Sequence, residues 1–321
     1  MSRATKIRVI VASILLLLGV LLFAGAMTVL KWDFTKLSTN EYQTVTHEIT
    51  EAFRGITIRA DTADIVFVAS EDESCTVECY EQKNITHSVA VKDGVLVIES
   101  IDERKWYEHI GINFSTSKIT VRVPQGEYGA LQIESDTGDI EIPKALCFAR
   151  MDIAVSTADV KSGANVQGEV KIKTTTGNIV VENGAAGALT LSVSTGDVNV
   201  SGVRCTGDVT VNVSTGKTSL KDVVCSNVIS KGDTGDMLLK NVVATGSFSL
   251  ERSTGDVRFE RCDAASLVIE TSTGDVTGSL LGDKVFFAKT DTGKVEVPKT
   301  ASGGRCEITT DTGDIRISIA K

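Results

Sequence analysis

Residues 192–216 read SVSTGDVNVSGVRCTGDVTVNVSTG, so the tripeptide that begins at Ser194 returns at Ser214. Its glycine recurs every 19 or 20 residues between residues 138 and 313. Where one interval is double, Thr157-Ala158-Asp159 occupies the midpoint, with alanine in place of glycine. A fixed period of this size is typical of a solenoid built from stacked coils. The repeated glycines are Gly138, Gly177, Gly196, Gly216, Gly235, Gly255, Gly274, Gly293 and Gly313.

Apolar residues alternate within each copy, as Leu189, Leu191 and Val193 do before the turn, and this period of two indicates β-strands. A second set of glycines half a period upstream predicts a second bend, so each coil should be strand, turn, strand, turn. Glycine at the bends suits backbone of positive φ. Stacking is needed because one coil cannot bury its own apolar face. The second set is Gly129, Gly168, Gly187, Gly207, Gly246 and Gly304.

These patterns predict an all-β protein. Residues 124–321 should form a β-solenoid, similar to a single-stranded β-helix, of about ten regular coils. Residues 45–123 lack the strict period and are predicted to form irregular coils that also cap the N-terminal end. The chain ends in DTGDIRISIAK without a cap, so the C-terminal coil is predicted to expose a strand edge that could pair with another molecule.

An uncharged stretch precedes the solenoid at residues 9–30, long enough as a helix to cross a bilayer. Arg3, Lys6 and Arg8 come before it, which predicts a cytoplasmic N-terminus at residues 1–8 and an extracytoplasmic body. Residues 31–44 would then be a linker. A cleaved signal peptide is the alternative, because Ala24-Gly25-Ala26 resembles a cleavage site. In both cases the body lies outside the cytoplasm, attached in the first case to the cell membrane by a single span.

The net charge of −9 disfavours nucleic-acid binding. The cysteine number is odd, and no two cysteines have the CxxC spacing of a zinc ribbon. We therefore interpret the cysteines as small buried side chains. They are Cys75, Cys79, Cys147, Cys205, Cys225, Cys262 and Cys306.

In all ten copies threonine precedes the central turn residue, and aspartate usually follows it. Calcium binding is one hypothesis, because stacked carboxylates attract hard cations, but Lys217 and Lys294 interrupt the column. The favoured interpretation is a structural ladder in which threonine and aspartate bond their own turn backbone, with no metal or cofactor. The members singled out are Thr195, Gly196, Asp197, Thr215, Gly216, Thr254, Gly255, Asp256, Thr273, Gly274 and Asp275.

The repeat lacks the clustered acids, bases and aromatic platforms of polysaccharide-cleaving β-helices, so an enzyme is not expected. One segment, residues 101–115, interrupts the strand pattern and concentrates Trp106, Tyr107 and His109. It is interpreted as an excursion covering the capped end. Its alternative is a partner-binding loop, because aromatic residues on loops are favoured interface anchors.

Several motifs together resemble a known bacterial family. They are the N-terminal anchor, the pattern F-x-x-I-x-I-x-x-x-x-A-D-I from Phe53 to Ile65, ITVRVP at residues 119–124, and the serial T-G-D turns. The family is a domain-of-unknown-function family described as "putative adhesin" with β-strand repeats. The resemblance implies an envelope-associated β-solenoid, linked in some relatives to envelope-stress systems. It supplies no catalytic residues.

The sequence thus favours a non-enzymatic, membrane-anchored solenoid that acts as a binding, adhesion or scaffold surface at the bacterial cell envelope. Its expected partners are the membrane and a cell-wall polymer, a surface protein or another copy of itself. The alternative is a structural polymer that assembles end to end through the uncapped C-terminal coil. A polysaccharide-active enzyme is a more distant third hypothesis.

Overall fold

The computed structural model describes residues 3–33, 41–104 and 116–320. It begins with one helix, α1 (Arg3–Val29), and every later element is a strand. The most apolar 18-residue window of α1 has a mean hydropathy of 2.8, and the segment Thr5–Val29 is long enough to cross a membrane. The fold is therefore all-β after an N-terminal apolar helix, as the sequence predicts. Part of the predicted linker, residues 34–40, lies outside the described residues.

The strands fall into an N-terminal group and a series of coils. The first group is β1 (Tyr42–Ile49), β2 (Gly55–Ser70), β3 (Cys75–Gln82), β4 (Ile85–Lys92), β5 (Val95–Asp102) and β6 (Ser117–Pro124). The coils contain β7 (Glu127–Thr137), β8 (Ile140–Ile142), β9 (Cys147–Thr157), β10 (Val160–Ser162), β11 (Asn165–Val166), β12 (Glu169–Thr176), β13 (Ile179–Glu182), β14 (Ala185–Ala186), β15 (Ala188–Thr195), β16 (Val198–Ser201), β17 (Arg204–Cys205), β18 (Val209–Thr215), β19 (Thr218–Cys225), β20 (Val228–Thr234), β21 (Met237–Ala244), β22 (Ser247–Thr254), β23 (Val257–Cys262), β24 (Ser266–Thr273), β25 (Val276–Leu280), β26 (Lys284–Thr292), β27 (Val295–Glu296), β28 (Gly304–Thr312) and β29 (Ile315–Ile319).

Consecutive coils pair in parallel and in register. Ile172 lies beside Leu191, and Leu191 lies beside Val211, and all three side chains are fully buried. Alternate residues of every strand point inward, so equivalent positions of successive coils form apolar ladders inside the rod. The β-solenoid of about ten regular coils is confirmed.

Each regular coil has three corners rather than the two that were predicted. The coil of β15, β16 and β17 turns at Gly196, again at Gly202, and a third time before β18. In five coils the second corner has positive φ, and its residue is glycine in only one of them, so no glycine period marks it in the sequence. Asn and Asp tolerate this left-handed region better than most residues. The corner residues are Asn183, Gly202, Asp222, Asn241 and Arg261, with φ between 51° and 62°.

The N-terminal end is closed by antiparallel strands. The coil of β2 lies between two others, because β5 and β6 pair with one side of it and β7 and β8 with the other. Beyond this, β3 runs antiparallel to β6, β1 antiparallel to β3, and β4 antiparallel to β5. These antiparallel strands cover the edge that an open stack would expose.

The C-terminal coil does not lie at the end of the stack, so the predicted uncapped C-terminal coil is wrong. β28 pairs with β24 on one side and β26 on the other, and β29 likewise lies between β25 and β27. After β25 the chain forms the outer coil of β26 and β27, and it then returns so that β28 and β29 lie between that coil and the coil of β24 and β25. The outermost coil is therefore that of β26 and β27. Its second strand has only two residues and is followed closely by Pro298, which cannot donate to a further strand.

The guanidinium of Arg252 is buried in the core. Arg252 is 3% exposed, and its Nη2 donates to Thr218 Oγ1 at 2.9 Å and to Ser230 Oγ at 3.0 Å. Burial lowers the pKa of Arg252. Its neighbour in the preceding coil is Gly232, where a Cβ atom would lie 2.3 Å from Nη1. Glycine at this inward position therefore makes room for the arginine.

The cysteines are all free thiols, and six of the seven are buried. Burial raises the pKa of Cys205 to about 11 and that of Cys306 to about 12. Thiols of such high pKa form little thiolate at neutral pH, so they are weak nucleophiles. This agrees with the interpretation of the cysteines as small buried side chains.

The coil order at the C-terminal end predicts that chain 1–282 resists trypsin better than the longer chain 1–302. Chain 1–302 lacks β28 and β29, so the coil of β26 and β27 loses both strands with which it pairs. We expect trypsin to cleave it at Lys289 and Lys294 on the order of tenfold faster than it cleaves the full chain, because unpaired strands open readily.

Chain 1–282 ends cleanly at the coil of β24 and β25, and we expect it to resist trypsin as the full chain does. Both variants are compared by time-resolved electrophoresis and mass spectrometry. Equal protection of Lys289 and Lys294 in chain 1–302 and in the full chain would contradict the interposed position of the last coil.

Candidate binding surface

An open groove of about 700 Å³ crosses one face of the rod near its N-terminal end. It is lined by strands that lie side by side in the order β5, β2, β7, β9 and β12. Ser88 of β4 contributes to one margin. Because the five strands are in register, the outward side chains of equivalent positions form rows across the groove.

The first row is an ion-pair network centred on Arg59. Arg59 Nη1 lies 2.9 Å from Glu99 Oε1, and Arg59 Nε lies 3.6 Å from Glu134 Oε2. Lys92 approaches Glu99 from the other side, with Nζ 3.6 Å from Oε2. All four side chains are substantially exposed, so the network adds little stability. The network does hold the carboxylates of Glu99 and Glu134 in the groove.

The second row contains two adjacent aspartates, Asp61 and Asp136, whose flanking residues are paired between β2 and β7. Ser156 donates from Oγ to Asp136 Oδ1 at 3.4 Å. Within residues 41–104 and 116–320, neither aspartate has a cation at ion-pair distance. Further hydroxyls come from Ser100 and Thr175. Carboxylates beside hydroxyls can accept hydrogen bonds from polyols or from ammonium groups.

The predicted loop residues Trp106, Tyr107 and His109 lie outside the described residues. The described chain stops at Arg104 and resumes at Thr116. Ile101, three residues before the first of these points, lines the groove. The partner-binding role of Trp106, Tyr107 and His109 stays a prediction.

The turn ladder is built from hydrogen bonds between coils. Asp159 Oδ1 accepts from the backbone N–H of Asn178 at 2.7 Å, and Asn178 Oδ1 accepts from that of Asp197 at 2.9 Å. Gly196 N–H donates to the Thr215 carbonyl at 2.9 Å. The aspartate and asparagine side chains thus bond the backbone of the next coil and not, as was predicted, that of their own turn. The reason is that stacked turns place each amide directly above the carboxylate of the preceding coil.

The two lysines of the column lie at different places in the stack. Lys217 lies inside the stack, beside Asp236 of the next coil, and the Asp236 amide has no side-chain acceptor in the described chain. Lys294 belongs to the outermost coil, where no further coil presents an amide. Its own amide donates to Asp314 Oδ1 at 2.8 Å. Backbone hydrogen bonding therefore accounts for the aspartates of the column without invoking calcium.

The groove residues were not singled out from the sequence. Arg59, Glu99 and Glu134 are far apart along the chain and meet only because the coil of β2 lies between two later coils. A sequential stack would have placed β2 directly beside β3. The remaining signal is weak, since charged residues are common at outward strand positions.

The regular three-cornered coils and the glycine turns correspond to a known family. The model of the Toastrack DUF4097 family matches residues 53–212 and 206–321. The chain belongs to this family. Membership confirms the resemblance found in the sequence, and the family's description names no reaction.

Three solved structures are also similar to the Toastrack DUF4097 chain. One, described as a putative adhesin from Bacteroides fragilis, is 17% identical, with a TM-score of 0.43, 86% of this chain covered and 97% of that one. A putative lipid binding protein from Parabacteroides distasonis is 13% identical, with a TM-score of 0.46 and coverages of 86% and 97%. A putative adhesin from the same organism is 13% identical, with a TM-score of 0.41 and coverages of 85% and 97%. Among curated proteins, none matches the chain.

The turn ladder predicts that replacing the two lysines has different effects on the free energy of unfolding. Lys217→Asn supplies the acceptor that the Asp236 amide lacks, as Asn178 does naturally for Asp197. We expect it to raise the free energy of unfolding by about 0.5–1.5 kcal/mol.

Lys294→Asn is the matched control. It makes the same change in the outermost coil, and we expect an effect of about 0.5 kcal/mol or less. Both values are measured by urea unfolding. Equal stabilisation by the two substitutions would show that loss of a lysine, and not gain of an acceptor, is responsible.

Proposed function

We propose that this protein is a non-enzymatic, membrane-anchored binding protein of the bacterial cell envelope, whose rod presents the groove outside the cytoplasm. The observation that carries this proposal is the exposure of α1. None of its most apolar 18-residue window is buried against the described protein. So much apolar surface is stable only in an apolar environment, and the helix has the length of a bilayer span.

The orientation is supported by the charges at the ends of α1. Arg3, Lys6 and Arg8 lie at its N-terminal end, whereas Lys31 and Asp33 follow its C-terminal end. An excess of basic residues favours the cytoplasmic side. The rod would then lie outside the membrane, joined to it through residues 34–40. A cleaved signal peptide would also export the rod but would release it.

The ligand class that we propose is a cell-wall polysaccharide. The groove is open and elongated across several coils, as a surface that accepts a polymer must be. Its carboxylates and hydroxyls match the hydrogen-bonding groups of sugars. Trp106 and Tyr107, which follow the groove margin in sequence, would add the aromatic surface that the groove lacks.

Protease shaving of intact cells tests the location. We expect external protease to remove the C-terminal coil, detected by a C-terminal epitope, and to leave a small membrane-bound fragment that contains α1. Protection of the epitope until the membrane is opened, with an accessible control protein cleaved, would contradict the proposed orientation. Recovery of the intact rod in the medium would contradict the anchor.

Groove substitutions test the binding role. We expect Asp61→Asn with Asp136→Asn to weaken sedimentation with purified cell-wall polysaccharide by about tenfold or more, because hydrogen bonds to charged groups contribute about 1.5–3 kcal/mol each. Trp106→Ala with Tyr107→Ala should abolish binding without unfolding the rod.

Asp291→Asn with Asp311→Asn is the matched control, because these aspartates are neighbours at the equivalent position of the last two coils of the stack. We expect this variant to bind as the wild type does. Equal loss in both pairs would indicate a general charge effect, and unchanged binding in the groove pair would remove the groove from the binding site.

A further inference from the structure

Three potential metal ligands meet inside the N-terminal cap. Cys79 and Glu81 project from the same face of β3, and His87 lies on β4, which follows after a short turn. All three are buried, and one ligand atom from each lies within 4.8 Å of the other two. The ligand atoms around a single zinc ion lie about 3–4 Å apart. Small movements of the three side chains would therefore bring their ligand atoms close enough to bind one ion.

The hydrogen bonds at this cluster fix two of the three groups. Glu81 Oε2 accepts from the backbone N–H of His87 at 2.8 Å and lies 2.9 Å from His87 Nδ1. Gln43 Nε2 donates to Glu81 Oε1 at 3.4 Å. A histidine that binds a metal typically has a carboxylate partner that orients its ring. The contacts therefore hold the imidazole and carboxylate in place before any ion arrives.

A second imidazole on the same face lacks a partner. His47 of β1 lies opposite Val77, and Val45 lies opposite Cys79. Facing residues of antiparallel strands project to the same side, so His47 and Cys79 share a face. His47 Nε2 is buried and makes no hydrogen bond within the described residues. A buried nitrogen of this kind is costly unless it finds a partner.

The charges of the cluster also suit a divalent ion. A thiolate and a carboxylate together carry two negative charges, and a neutral imidazole adds none. One divalent cation makes the buried cluster neutral, which avoids the cost of leaving a charge uncompensated in the interior. Thiolate and imidazole select borderline-soft metals and not calcium or magnesium.

We propose that Cys79, Glu81 and His87 bind a zinc ion that fastens β3 to β4 in the cap. The site is separate from the groove and does not depend on the proposed binding function. β3 pairs with β6 and β4 with β5, the two strands that flank residues 105–115. A metal at this point would hold together the frame from which the predicted binding loop extends.

Metal content of the full chain tests the proposal. The chain is purified in detergent under reducing conditions without a histidine tag, loaded with zinc, dialysed and analysed by plasma mass spectrometry. We expect one zinc ion per chain in the wild type. We expect Cys79→Ser and His87→Ala to lower zinc affinity by about 10- to 100-fold or more. Cys75→Ser is the matched control, on the same face of β3 and also buried, and it should bind zinc as the wild type does.

Cobalt substitution in the wild type keeps the test decisive if a variant fails to fold, as judged by circular dichroism. Bound cobalt should give the near-ultraviolet charge-transfer band of a cobalt–thiolate bond, and zinc should displace it, whereas magnesium should not. Absence of this band, no retained zinc in the wild type, or equal binding by Cys79→Ser and Cys75→Ser would overturn the proposal.

Discussion

The rod depends on how closely consecutive coils approach at the threonine–glycine turn. A Cβ atom on Gly196 would lie 2.1 Å from the carbonyl oxygen of Gly177, and one on Gly216 would lie 2.0 Å from that of Gly196. Neither position can carry a side chain in this backbone conformation, and Ala158, at the equivalent corner of an earlier coil, does not have a positive φ. The repeated glycines of this turn have φ between 122° and 155°, where other residues are strained. Glycine at this corner therefore permits both the turn and the spacing at which the strands of neighbouring coils can pair.

The same closeness explains why the turn does no chemistry in this account. When turns stack directly, the amide after the glycine faces the side chain of the preceding coil, and an aspartate or asparagine there accepts its hydrogen bond. The conspicuous column of aspartates is thereby explained by the stacking of the backbone. Binding is then expected where the regular stack is interrupted, and both the groove and the Cys79–Glu81–His87 cluster lie in that N-terminal region.

The sequence predicts the repeat, the strands, the inward faces and the apolar helix, because each leaves a periodic or compositional signal. It does not predict the corner at Asn183 and Asp222, because residues other than glycine can adopt it. Nor does it predict that β28 lies between β24 and β26, because a solenoid coil carries similar inward residues wherever it stacks. The contacts of Arg59 with Glu99 and Glu134 depend in the same way on the position of β2 between β5 and β7, which the sequence does not predict.

Amide hydrogen exchange of the rod, resolved residue by residue, tests the central claim that the turn residues serve the stacking of coils. The amides of Asp159, Asn178 and Asp197 should exchange slowly although they lie in exposed turns. The amide of Lys294 should also be protected, because Asp314 of the interposed last coil bonds it. Asp236 should exchange much faster, because Lys217 offers it no acceptor. Uniform exchange at these turns, or an Asp236 amide as slow as its equivalents, would contradict the account.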